Sequence, residues 1–155
     1  MNETIMLAVD SKHPVEAAAE AAGRLGRESG DPVVVLHVHE VAVGRFGRIR
    51  VCCLEDEGER LASATVDHLK QAGVAAGTDI RETLYGHVAR EILAAADEHD
   101  ARVLVLGSSN RTDLPYITFG SVSHRLLHLA RRPVLIVPRQ AAVPDRDRPS
   151  MASAG

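Results

Sequence analysis

Five short apolar runs, each ended by a glycine, a proline or a polar turn, alternate along this chain with stretches whose apolar residues recur at helical spacing. The runs are Ile5 to Val9, Pro32 to Val38, Asp79 to Tyr85, Arg102 to Leu106 and Pro133 to Pro138. Those around Val34 and Leu104 are dense in Val and Leu without alternation, as strands buried on both faces are. In the third, Ile80, Glu82 and Leu84 alternate with their neighbours. Between the runs, four helices are expected. One opens at Pro14 and runs to about Glu28 before Gly30. A second carries Leu61, Ala64, Val66, Leu69 and Ala72 and ends near Gly73. A third follows Val88, Ile92, Leu93 and Ala96 to Glu98, and the fourth spans Val122 to Ala130. Glu40 to Leu54 shows no clean period; Gly44, Gly47, Arg45, Arg48 and Arg50 make it an expected solvent loop. Strands alternating with helices imply an α/β fold, a single-domain open parallel five-stranded sheet with helices on both faces.

Composition sets the outer limits. A chain of 155 residues, 45% hydrophobic and 25% charged, fits one domain with a real core, expected over residues 1–140. Residues 141–155, rich in Pro, Asp, Arg, Ser and Ala, read as a disordered C-terminal tail. A net charge of −3 gives no basic footprint for nucleic acid, and two Tyr, two Phe and no Trp leave few rings for base stacking. The opening residues lack a signal-peptide pattern, and no apolar run approaches the roughly 20 residues of a spanning helix. No membrane partner and a cytoplasmic location are therefore expected. Adjacent Cys52 and Cys53 cannot form a stapling framework and read as reduced thiols.

The segment from Gly107 to Ser123 carries the chemistry. A buried strand stops at Gly107, a long loop follows from Ser108 to Phe119, and Gly120-Ser121 stands at a helix start with Ser121 as the expected N-cap. Strand, loop and helix N-terminus make an anion site, because unpaired amides and the positive end of the helix dipole meet there.

At these residues the chain resembles the universal stress protein family, whose nucleotide-binding members carry Gly, two residues, Gly, nine residues, then Gly-Ser or Gly-Thr. Gly107, Asn110 and Gly120-Ser121 stand at that spacing, with Asn110 in place of the second glycine. Asparagine tolerates positive φ, so the turn survives, while its side chain occupies space on the path of a phosphate. The strand ending in Val9-Asp10-Ser11 and the final Arg132-Pro133-Val134-Leu135-Ile136-Val137-Pro138 run are equally family-like, and the resemblance spans about residues 3 to 139.

That resemblance implies the strand order 3-2-1-4-5, with a crevice at the topological switch point between the first and fourth strands. It also implies an ATP-binding site, with Mg2+ as counter-ion. Asp10 would lie beside ribose and adenine, and Val38 would line the adenine pocket. Gly107 would admit the ribose and α-phosphate, Asn110 would stand at the turn of the phosphate loop, and Gly120, Ser121 and Val122 would offer amides or a hydroxyl. Each also has a plain structural use: Asp10 can cap the next turn, Ser121 its helix, and Gly107 can simply end a strand. A homodimer through strand 133–138 is implied as well, since that edge has no further strand to cover it. The expected function is a dimeric, nucleotide-binding stress-response module and not an enzyme; the alternatives are a dimeric interaction module without nucleotide, and a slow ATPase.

Other constellations fail. There is no P-loop, and Lys12 and Lys70 are expected to lie far from the Gly107 segment; no Gly-x-Gly-x-x-Gly follows the first strand. His124 and His128 are four apart on one helix, and His37 and His39 share a strand face. Arg125 stands where a zinc protease needs Glu, so no metal site is expected. No nucleophile with triad partners is recognisable among Tyr85, Tyr116, Cys52 and Cys53.

Overall fold

The computed structural model describes residues 3–50, 57–108 and 120–139. Its elements run β1 (Thr4–Ala8), α1 (Glu16–Ser29), β2 (Val33–Gly44), β3 (Gly47–Arg50), α2 (Glu57–Gln71), β4 (Ala76–Leu84), α3 (Val88–Glu98), β5 (Ala101–Gly107), α4 (Ser121–Leu129) and β6 (Val134–Val137). The five expected strands lie parallel in the order β4-β2-β1-β5-β6, which is the expected 3-2-1-4-5. Central β1 places Leu7 opposite Val35 on one side and Val105 on the other. All three side chains are fully buried, as a central parallel strand requires.

Helices cover both faces. On one, Ala18, Ala19 and Ala22 of α1 and Ala62, Val66 and Leu69 of α2 pack on Ile5, Leu7, Val33 and Val35. On the other, Ala89, Ile92 and Ala96 of α3 and Leu126 of α4 pack on Met6, Leu36, Leu104 and Leu106. Small alanines let the helix backbones approach the sheet closely; the large volume comes from the strands.

Several local expectations are corrected. Residues 40–50 are not loop: β2 continues to Gly44, turns through Arg45 and Phe46, and returns antiparallel as β3, pairing Val43 with Arg48 and Ala42 with Ile49. The two turn residues, Arg45 and Phe46, carry none of the Asn-Gly or Gly-x chemistry that marks a two-residue hairpin, so the pair was not legible, and among the described residues the sheet is mixed, with six strands. The rest of that expected loop lies outside the described residues, as do Cys52, Cys53 and the tail 141–155. On β4 the alternation was real, but Ile80 and Leu84 face outward, 38% and 48% exposed, because this edge strand turns Asp79, Arg81 and Thr83 toward α3. In α2, Ala64 is exposed and Ala62 and Thr65 point inward. Leu129, expected in the buried stripe of α4, is 50% exposed, leaving Leu126 as its anchor. The N-cap of α4 is Gly120, in extended backbone, so Ser121 is its first helical residue.

Candidate nucleotide-binding crevice

Parallel strands ending together leave a crevice at their carboxyl edge wherever neighbouring connections part to opposite faces. Here the connection after β1 leads to α1 and the one after β5 leads to α4 on the other face. A cavity of about 330 Å³ opens between them. Asp10, Val38, Gly107, Gly120, Ser121 and Val122 all line it. Of the sequence-derived site residues only Asn110 lies outside the described residues.

The wall is apolar where β2, β5 and α3 contribute Leu36, Val38, Leu106, Val88 and Ile92. Their side chains continue the core into the cavity, and an apolar slot with few polar partners suits a planar heterocycle. Across from it the lining becomes backbone. The first intrahelical bond of α4 runs from the His124 amide to the Gly120 carbonyl at 2.9 Å, so the Ser121, Val122 and Ser123 amides precede it. No acidic residue stands in that first turn to neutralise the dipole. At Gly107 the backbones come close: a Cβ there would meet the Pro14 carbonyl oxygen at 3.2 Å, so β5 and the entry to α1 lie tightly against each other at this residue.

Asp10 has a structural role. One carboxylate oxygen accepts the Lys12 amide at 3.1 Å and the other bonds the His13 ring at 3.0 Å, while the His13 amide reaches the Asp10 carbonyl at 3.2 Å. The side chain builds the turn that forms one lip of the crevice, and half of it stays exposed to the cavity.

Sequence reasoning missed the histidine corner. His37 is buried, its Nδ1 donating to the Val9 carbonyl at 3.1 Å, and its ring packs edge-on against His39 at 4.5 Å. His39 in turn bonds Glu59 of α2 at 3.2 Å. Gly58, the second residue of α2, is the only kind of residue that fits: a Cβ would sit 2.0 Å from His37 Nε2. The signal was present as two histidines on one strand face, but their partner on α2 is distant in sequence. Sequence reasoning also passed over Ser108, which is 5% exposed and whose hydroxyl has no hydrogen-bond partner among the described residues. It lines a second cavity that shares Lys12, His13 and Gly107 with the first and adds Glu16 and Arg139, so the fold brings Lys12 to the Gly107 segment from which the sequence set it apart. A buried orphan hydroxyl costs stability.

Among the described residues no helix is long and apolar enough to cross a membrane. The model of the universal stress protein family matches residues 1–138. The chain is similar to universal stress protein YxiE of Bacillus subtilis, 28% identical over 148 residues, covering 88% of this chain and 99% of that protein. Among solved structures it is similar to a universal stress protein from Archaeoglobus fulgidus, with a TM-score of 0.72, 26% identity, and coverage of 88% of this chain and 99% of the other. A structure of the Archaeoglobus fulgidus protein in complex with dAMP gives a TM-score of 0.67 at 26% identity, covering 87% and 97%. Fold, strand order and the extent of the match agree: this chain belongs to the universal stress protein family.

Proposed function

We propose that this protein binds an adenine nucleotide, ATP with Mg2+ as its counter-ion, in the crevice between Asp10 and Gly107, and acts as a dimeric module whose bound state is read by other proteins. The observation that carries the reading is a cavity in which an apolar slot at Val38 adjoins the Ser121 and Val122 amides, which have no intrahelical partner and no other among the described residues. The base suits the slot and the phosphates suit the amides. The dAMP complex of the similar Archaeoglobus protein supports the same class of ligand. The reading is one of binding and signalling, not turnover.

Calorimetry on the purified chain tests it. Millimolar ATP with magnesium should release heat and raise the melting temperature, because a ligand selective for the folded state stabilises it. Gly120→Val should abolish both effects while leaving the unliganded melting temperature nearly unchanged. Asn110→Gly should tighten binding by removing a side chain from the phosphate path. Absence of heat and of any thermal shift would leave the dimeric interaction module as the better reading.

A further inference from the structure

Helix α4 carries two histidines on one exposed face, one turn apart. His124 Nε2 and His128 Nε2 stand 3.4 Å from each other, with ring centroids 4.6 Å apart and the planes inclined at 64°. A good N–H donor bond has its heavy atoms about 2.7–3.2 Å apart, so hydrogen bonding between the rings is a weak reason for this approach. Chelation fits the spacing better. Two nitrogens each about 2.0–2.1 Å from a tetrahedral ion stand roughly 3.3–3.4 Å from one another.

We infer that His124 and His128 form a bidentate site for Zn2+ on the outer face of α4. Imidazole is a favoured ligand for late first-row metals, and the separation as it stands matches a tetrahedral ion such as Zn2+, whereas square or octahedral angles need the nitrogens about 2.9 Å apart. Both rings are exposed and so can be approached from solvent. Arg125, which could repel a cation, is turned away to donate to the Gly86 carbonyl at 2.6 Å. No group of three or more His, Cys, Asp or Glu side chains at metal spacing occurs among the described residues, so these supply two ligands and water, or a further donor, completes the shell. The ion would staple the first turn of α4 to its second. The site stands apart from the nucleotide reading, because it uses neither the cavity nor its lining.

The test uses the full chain without nucleotide, in a Cys52→Ser/Cys53→Ser background that removes the competing thiols. Titration calorimetry with ZnCl2 should show one ion per chain and MgCl2 no heat. His124→Ala and His128→Ala should each weaken Zn2+ binding by about tenfold or more, a loss of about 1.4 kcal/mol per decade. Both side chains are exposed, so both variants should fold. In parallel, the imidazole nitrogen resonances of the unsubstituted protein should shift for these two rings on adding Zn2+. Equal affinity in both variants, or unmoved His124 and His128 resonances at saturating Zn2+, would overturn the site.

Discussion

Gly58 shows how one missing methyl group positions a wall of the crevice. The His37 ring occupies the space where a side chain would begin, held by its bond to the Val9 carbonyl on one side and by His39 on the other. Gly58→Ala must therefore expel His37 or push α2 off the sheet. Overpacking of this kind costs about 1–3 kcal/mol. We expect the urea midpoint of Gly58→Ala to fall accordingly. His37→Ala should cost stability too, through the lost bond to Val9, but the double variant should be more stable than the two losses summed, since the alanine at 58 then meets an empty space. A strictly additive double variant would show that the clash is relieved elsewhere. Asp10 teaches a related lesson at this scale. Its place at the end of β1 was legible, but both carboxylate oxygens are engaged by residues two and three positions on, which only the folded turn decides.

At the scale of elements, the edge strand β4 is tied to α3 by charge. The Arg81 guanidinium, 16% exposed, meets Asp79 at 2.9 Å, Glu91 at 3.3 Å and Glu98 at 2.6 Å, and His99 adds a bond to Asp79 at 2.8 Å. The hydrogen bond to Glu98 is the main reason that Arg81 is held even more firmly protonated, and the hydrogen bond from Arg81 holds the Glu98 carboxyl below its ordinary value of 4.5. Arg81→Met would leave three carboxylates facing one another in a partly solvated cluster, and we expect a loss of about 1–2 kcal/mol at pH 6, the cost of leaving the half-buried Asp79 and Glu91 without their donor. The sign of the pH dependence follows from the lowered carboxyl. Its contribution is fully present above pH 4.5 and is lost as pH falls through the depressed folded value. The variant lacks that contribution, so the gap between the two proteins should narrow from pH 6 to pH 3 in paired urea melts. A gap that widens on acidification would mean the cluster is not what joins β4 to α3. The alternation on β4 was visible in the sequence; which side faced inward was not, because an edge strand buries charged residues when a helix brings their partners.

For the whole molecule, the exposed edge is β6. Among the described residues Val134–Val137 pairs only with β5, and Leu135 is 38% exposed. Unpaired amides and carbonyls on a short apolar strand are a template for a second copy, and in the proposed pairing Pro133 and Pro138 would favour a closed dimer over open-ended association. Light scattering on the chain truncated after Arg139 should give about twice the monomer mass, 16.6 kDa for the full chain. Leu135→Lys with Ile136→Lys should return it to monomer by burying charge in the pairing surface. A monomer before substitution would reject strand pairing, and a dimer that survives both lysines would place the interface elsewhere.

Residue order along the chain was enough to give the α/β class and the five parallel strands, because hydrophobic period and turn chemistry are local properties that a strand or helix expresses wherever it sits, while the resemblance to the family pointed to six residues that line the crevice. Asp10, Val38, Gly107, Gly120, Ser121 and Val122 became one lining because β1, β2, β5 and α4 end at the same edge of the sheet. Contacts between distant segments needed the fold itself. The β2–β3 hairpin, the seat of His37 on Gly58 and the carboxylates around Arg81 depend on which surfaces the sheet and helices bring together. Packing of that kind is set by distance in space, and no spacing along the chain encodes it.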